Sequence, residues 1–133
     1  MRKTARQLLE EANAMVKSIT PHQAAELAED LDNLFVDLRD IRELWRDGTI
    51  PGALHVSANM LEFWVDPACE YYKNDFDDVE HIVLFCTSSW RSALAGRRLI
   101  EMGVHNVVHI EGGFRAWQTA GLDVLTVLNP YER

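Results

Sequence analysis

Residues 81–92 read His-Ile-Val-Leu-Phe-Cys-Thr-Ser-Ser-Trp-Arg-Ser, and this stretch decides the fold. The apolar run over residues 82–86 is typical of a strand buried on both faces, as in a parallel sheet covered by helices. Small polar residues follow at 87–89, and apolar residues at helical spacing then predict a helix over residues 92–102, capped by Gly103. The stretch therefore predicts a strand, a short loop and a helix within an α/β sheet.

The rest of the chain repeats this alternation of strands and helices. Short apolar runs predict three further strands, at residues 34–38, 54–56 and 107–110. Capping boxes, helical spacing and glycine stops predict helices at residues 5–17, 21–30, 40–47 and 114–120, with a turn of helix within 57–65. We therefore expect an α/β fold with a central, mostly parallel sheet and helices on both faces. Residues 66–80 are polar, and no regular element is predicted there.

Length and charge limit the classes of function. The chain has 133 residues, with 13 basic and 21 acidic side chains and a formal net charge of −8. This length is typical of one domain, which we place at residues 19–133 behind an N-terminal helical extension at residues 1–18. We expect no nucleic-acid partner, because phosphate backbones are also negative. We expect no membrane segment, because the longest apolar run is far shorter than the roughly 20 residues that a membrane helix needs.

The two cysteines, Cys69 and Cys86, form neither a Cys-x-x-Cys pair nor a disulfide framework. No zinc-site spacing accompanies them, so we expect no metal ion and no cofactor. This usage is typical of a reducing compartment, and we expect the protein to be cytoplasmic. His55 and His109 lie in predicted strands, where we expect core histidines with a hydrogen-bond partner.

Cys86 lies between the end of the buried strand and the start of a helix. The first N–H groups of a helix have no intrahelical partner and carry partial positive charge, which favours a thiolate at this place. Thr87, Ser88 and Ser89 are small enough for the loop to curl with its N–H groups pointing inward. Arg91 adds a permanent positive charge. We therefore predict an exposed nucleophilic thiolate facing an anionic substrate, and the alternative is an inert, buried cysteine.

Four blocks of the sequence resemble, in order, the rhodanese family of sulfurtransferases. Residues 36–40, Val-Asp-Leu-Arg-Asp, resemble the family's strand ending in Asp-Val-Arg, and residues 48–53, Gly-Thr-Ile-Pro-Gly-Ala, resemble its Gly-His-Ile-Pro-Gly-Ala turn. Residues 82–92 resemble its active-site strand and its loop Cys-x-x-x-x-Arg-Ser. Residues 111–117 resemble its Gly-Gly-x-x-x-Trp turn and helix. The resemblance implies a single rhodanese-like domain.

The resemblance also implies the chemistry. Cys86 and Arg91 bound a loop of six residues. This is the length in family members that handle sulfur, whereas related cell-cycle phosphatases and arsenate reductases have one residue more. By analogy, Cys86 takes the outer sulfur of a small-molecule donor such as thiosulfate as a persulfide. It then passes this sulfur to cyanide or a thiol. A protein is a further candidate for the sulfur acceptor. A non-catalytic binding or regulatory module is the alternative, and a phosphatase or arsenate reductase is the third hypothesis.

The residues expected to bind the donor are Thr87, Ser88, Ser89, Trp90 and Arg91. The residues expected to support the loop are Asp37, Arg39 and Ser92. For Asp37 and Arg39 we favour a structural ion pair over direct support of the Cys86 loop. For Ser92, a hydroxyl directed at the sulfur and a role at the helix start are equally favoured.

Three positions depart from the family pattern. Ser89 stands where glycine is frequent, so a positive φ there would strain the backbone. Thr87 stands where a basic residue is frequent, which makes the pocket less attractive to thiosulfate. Thr49 replaces the usual turn histidine, with an effect expected on structure rather than chemistry. Trp90 places a large ring at the pocket rim.

The N-terminal helix has two alternative roles. It either covers the sheet or pairs with a second subunit as a homodimer.

Overall fold

The computed structural model describes residues 1–132 and contains a single five-stranded sheet with helices on both faces. The strands are β1 (Lys17–Ile19), β2 (Asn33–Asp37), β3 (Leu54–His55), β4 (His81–Phe85) and β5 (Val107–Ile110). They lie in the order β1-β5-β4-β2-β3, and every neighbouring pair is parallel. The predicted α/β fold is confirmed, and the apolar strand β4 lies at its centre.

Six helices surround the sheet. They are α1 (Ala5–Met15), α2 (Pro21–Leu27), α3 (Ile41–Asp47), α4 (Leu61–Trp64), α5 (Trp90–Glu101) and α6 (Gly113–Thr119). The side chains of β4 alternate between two cores. Val83 and Phe85 pack in the core that contains Phe114 of α6, whereas Leu84 packs in the core that contains Leu99 of α5. Within residues 1–132, every helix is too short or too polar to span a bilayer.

Within residues 1–132, strand β1 and a short 3-10 helix at Asn74–Phe76 are the elements that the sequence did not predict. We predicted a helix over residues 5–17, but α1 ends at Met15 because Val16 adopts an extended backbone with φ −99° and ψ 125°. Residues 17–19 then pair with β5, and only Ile19 among them is buried. A strand of three residues has too little alternation to be visible in sequence, and its pairing with β5 decides its conformation. The other predicted elements agree to within three residues.

The sheet topology brings two strand ends together. Strands β2 and β4 are neighbours, and Asp37 pairs in register with Phe85. Ligands of such sheets bind at the carboxyl ends of the strands. Residues 37–39 and the loop that begins at Cys86 therefore share one edge of the sheet, as the sequence predicted.

Candidate active site

The loop after β4 is fixed by the first amides of α6. The N–H of Phe114 donates to the carbonyl of Cys86 at 2.7 Å, and the N–H of Arg115 donates to the carbonyl of Thr87 at 3.1 Å. In a trans peptide, the N–H points opposite to the C=O. The amides of Thr87 and Ser88 therefore point away from α6.

Gly113 allows this close approach of α6 to the loop. Its φ is +63°, and a Cβ at this position would lie 2.6 Å from the Thr87 carbonyl oxygen and would also overlap the Cys86 carbonyl. Any side chain there would push α6 away from the loop. The Gly-Gly turn thus positions the loop through packing against its carbonyl groups.

The backbone N–H groups of the loop lack a hydrogen-bond acceptor among the described residues. Within residues 1–132, the N–H groups of residues 87–91 donate to no protein acceptor. They precede or begin α5, a helix of 12 residues whose N-terminus carries partial positive charge. Ser89 has φ +86°, so the predicted backbone strain at this position is present. The loop therefore presents a row of N–H donors to an anion.

The thiol of Cys86 is buried, which corrects the exposed thiol expected from the sequence. Only 1% of the residue is exposed. Its side chain continues the alternation of β4 toward α5, and Sγ lies 3.7 Å from Ser92 Oγ. None of the described amides bonds to Sγ, so the loop donors do not converge on the sulfur as we predicted. They are available to a group bound beside it.

Glu43 of α3 holds the two polar side chains of the loop. Its carboxylate accepts from Arg91 Nη1 at 3.2 Å and from Thr87 Oγ1 at 3.0 Å. Burial opposes the charge of Arg91, but the hydrogen bond and charge of Glu43 outweigh it and raise the pKa of Arg91. Burial likewise opposes the charge of Glu43, but bonds from Arg91, the Asp40 backbone and Thr87 lower its pKa. Glu43 was not predicted as a site residue, because its one signal in the sequence is its place in the first turn of a predicted helix.

Ser92 joins the sulfur to a buried histidine. Its hydroxyl lies 3.1 Å from the Ser89 carbonyl and 2.9 Å from His109 Nδ1, so its one proton has two acceptors within reach. On the other side of the ring, His109 Nε2 lies 3.0 Å from Ser18 Oγ on β1. The contact with the Ser89 carbonyl is the role at the helix start, whereas toward the sulfur Ser92 accepts from the thiol and does not donate. His109 is a core histidine with partners, as predicted. Its link to Cys86 was not predicted.

Burial sets the charge state of this histidine. His109 is 1% exposed, and loss of hydration lowers its pKa below the ordinary value of 6.5. The ring is therefore neutral at pH 7, with one nitrogen that donates and one that accepts. Ser92 is also buried, whereas Ser18 is exposed.

The carboxyl end of β2 holds the ion pair that the sequence favoured. Arg39 donates twice to Asp37, at 3.0 and 2.8 Å, with both side chains almost fully buried. Thr49 donates to the same carboxylate at 2.7 Å, which is the structural role expected of it. The Arg39 guanidinium also lies 4.1 Å from the ring centroid of Phe114. Because the Phe114 amide holds the loop, the ion pair also supports the Cys86 loop.

Trp90 begins α5 and is 67% exposed, so its ring stands beside the loop in solvent as expected. Ser88 is exposed as well, whereas Thr87 and Ser89 are partly buried. Thr87, Ser88 and Ser89 form the loop and Trp90 and Arg91 begin α5, and their role in binding a donor stays a prediction.

Comparison with known proteins identifies the family. The rhodanese-like domain model matches residues 20–120. A thiosulfate sulfurtransferase GlpE of Pseudoalteromonas translucida is 31% identical over 105 residues, which cover 78% of this chain and 90% of that protein. A tRNA uridine(34) hydroxylase of Hamiltonella defensa is 33% identical over 92 residues, or 69% of this chain. The match spans only 25% of that hydroxylase.

A solved structure agrees along nearly the whole chain. It belongs to a Rhodopseudomonas palustris protein of unknown function, described as a possible tyrosine phosphatase. The two chains are 39% identical, with a TM-score of 0.89 and coverage of 94% of this chain and 96% of that one. With the family model matched from α2 through α6, the chain belongs to the rhodanese-like domain family.

Proposed function

We propose that this protein is a sulfurtransferase that moves a sulfane sulfur from a donor such as thiosulfate to a thiophilic acceptor through a persulfide on Cys86. The observation that carries the proposal is a thiol at a strand end beside a row of unpaired amides, in a loop of six residues closed by Arg91. The extended match to a thiosulfate sulfurtransferase supports it.

The reaction has two steps on one sulfur atom. The Cys86 thiolate attacks the outer sulfur of thiosulfate, the S–S bond of the donor breaks, and sulfite leaves with the bonding electrons. Cyanide or a thiolate then attacks the outer sulfur of the Cys86 persulfide. Thiocyanate or a new persulfide forms, and the Cys86 thiolate returns.

The loop supplies stabilisation of negative charge. The amides of residues 87–91 are oriented in advance, so they stabilise a bound anion or persulfide without reorganisation. The Cys86 thiol donates to Ser92 Oγ at 3.7 Å, and once the thiol is ionised the Ser92 hydroxyl takes over as the donor to the sulfur. Arg91 keeps its charge at any physiological pH, and Glu43 fixes its position.

The same contacts bear on the identity of the donor. The charge of Arg91 is shared with Glu43, and the loop carries threonine rather than a basic residue at position 87. We propose that thiosulfate binds weakly and that a persulfide on a small thiol or a protein is the better donor. Exposed Trp90 offers an apolar contact for such a donor, and a reducing, cytoplasmic setting would keep Cys86 reduced.

Initial rates of thiocyanate formation from thiosulfate and cyanide test the proposal. We expect the parallel double-reciprocal lines of a ping-pong reaction for the wild type. Cys86→Ser should abolish turnover, and Cys69→Ser is the matched control that should retain it. The absence of turnover with thiosulfate and with a glutathione persulfide donor would contradict the proposal.

A phosphatase is the second candidate. The structure described as a possible tyrosine phosphatase favours it, because a row of amides also suits a phosphate. The six-residue loop argues against it. Hydrolysis of an aryl phosphate that Cys86→Ser abolishes would support this candidate. A protein inactive in both assays would instead favour a non-catalytic binding module, whose partner would still bind Cys86→Ala.

A further inference from the structure

We propose that Ser18, His109 and Ser92 form a proton relay that carries the thiol proton of buried Cys86 to the surface and stabilises the resulting thiolate. The inference deepens the proposed function, because it rests on Cys86 as the nucleophile. In this relay, Ser92 and His109 are positioning residues, and neither touches the sulfur donor.

The relay follows from the burial of the thiol. Cys86 is 1% exposed, so its proton has no direct contact with bulk solvent. Within residues 1–132, the one hydrogen-bond partner of Sγ is Ser92 Oγ. Ser92 is itself fully buried, and its hydroxyl lies beside two acceptors. The Ser89 carbonyl has no proton to pass on, so a route to water needs the other acceptor.

His109 is that acceptor. Its Nδ1 lies 2.9 Å from Ser92 Oγ, and its Nε2 lies 3.0 Å from Ser18 Oγ. Ser18 is exposed on the edge strand β1. The four residues thus form an unbroken chain of polar atoms from the buried sulfur to the surface.

The protons balance without charging the histidine. In the thiol form, Sγ–H donates to Ser92, Ser92 donates to Nδ1, Nε2–H donates to Ser18, and Ser18 faces solvent. Each proton then moves one position along the chain, and Ser18 releases one proton to water. In the thiolate form, Ser92 donates to Sγ, Nδ1–H donates to Ser92, and Ser18 donates to Nε2.

Two features of His109 suit this role. The ring is neutral in both forms, in keeping with its lowered pKa, because only the position of its proton changes. In the thiolate form, Nδ1–H donates to Ser92 Oγ. The hydroxyl proton of Ser92 is then free to donate to the sulfur. A switch of tautomer at His109 therefore accompanies ionisation of Cys86.

Nitrogen NMR of the imidazole rings tests the switch directly. In uniformly ¹⁵N-labelled wild type, His109 should carry its proton on Nε2 while Cys86 is a thiol and on Nδ1 once thiolate absorbance has developed. Cys86→Ser is the matched control, because its hydroxyl does not ionise and the ring should keep one tautomer over the same pH range. The charged groups on the loop side are Arg91 and Glu43, and neither bonds to Ser92 or His109.

A second measurement gives the effect on reactivity. His109→Phe removes both ring nitrogens, and we expect alkylation of Cys86 by iodoacetamide at pH 7 to slow roughly tenfold, as for loss of one hydrogen bond to a charged group. His81→Phe is the control, because His81 bonds Asn33 at the opposite end of the sheet and should leave the rate unchanged. Unfolding curves confirm that both variants are folded.

The outcomes separate the relay from the proposed function. An unchanged His109 tautomer, a doubly protonated ring beside the thiolate, or an unaltered alkylation rate in folded His109→Phe would overturn the relay while sulfur transfer stands. Conversely, a tautomer switch in a protein that transfers no sulfur would support the relay and contradict the sulfurtransferase.

Discussion

The carboxyl ends of the neighbouring strands β2 and β4 differ in how their polar groups are satisfied. At the end of β2, the buried charges of Asp37 and Arg39 meet each other and nearby donors and acceptors. At the end of β4, the amides of residues 87–91 have no acceptor in the part of the chain that the structure describes, and Ser89 is held at a positive φ. The first strand end is built for stability, whereas the second keeps hydrogen-bonding capacity and strain for a ligand.

Removal of one charge from the β2 end should give the largest effect on stability. Arg39→Met leaves the Asp37 carboxylate buried without its partner, and we expect a loss of about 3–5 kcal/mol in the free energy of unfolding. Urea unfolding measures this loss. The double variant with Asp37→Leu should recover part of it, because the uncompensated charge is gone. A loss below about 1 kcal/mol in Arg39→Met would show that the pair is not essential.

Disruption of the contact between the Gly-Gly turn and the loop should have the second largest effect on stability. Gly113→Ala adds a Cβ against the Cys86 and Thr87 carbonyls, and we expect roughly 1–3 kcal/mol of extra destabilisation and loss of turnover. Gly121→Ala is the matched control, because Gly121 also has a positive φ but open space around its Cβ position. Equal stability and activity for the two variants would contradict the role of Gly113.

Relief of strain in the loop should have a smaller effect, of opposite sign. Ser89→Gly removes the left-handed strain but adds chain entropy, so we expect a net gain of roughly 0.5–1 kcal/mol in thermal or urea unfolding. The Ser89 carbonyl, which accepts from Ser92 and Ala93, is retained. Ser88→Gly is the control, because Ser88 has no positive φ, and this variant should lower the free energy of unfolding. A lower free energy of unfolding in both variants would show that the backbone at Ser89 is not strained.

The smallest effect concerns the charge beside the loop. Glu43→Gln removes the negative charge that Arg91 shares but keeps an oxygen to accept from the Asp40 amide. We expect KM for thiosulfate to fall several-fold with little change in stability, since an exposed ion pair contributes about 0–1 kcal/mol. Asp47→Asn removes the charge from the Arg46 pair on the same helix and is the control. An unchanged or raised KM would show that Glu43 does not weaken donor binding.

Structural features that depend on residues close together in the sequence were predictable. The apolar strand, the Cys86 loop and the Asp37–Arg39 pair depend on residues a few positions apart, where patterning and spacing carry the information. The cost of a positive φ at Ser89 was also predictable, because glycine is frequent at this position in the family. These local features were enough for the fold, and they led to the prediction of a site at the Cys86 loop.

Features set by distant contacts were not predictable. Glu43 and Thr87 are 44 residues apart, and Ser18 and His109 are 91 residues apart, so neither contact has a pattern in the sequence. Strand β1 forms because β5 offers it a partner, although its own residues favour no element clearly. The burial of Cys86 likewise follows from the packing of α5 against β4.

Intact mass after incubation with a sulfane donor tests the central claim most directly. The account predicts that the wild type and Cys69→Ser each gain one sulfur atom and lose it on addition of cyanide. Cys86→Ser should gain none under the same conditions. Sulfur that loads equally onto Cys86→Ser, or a wild type that stays unmodified with thiosulfate and with a persulfide donor, would contradict the account.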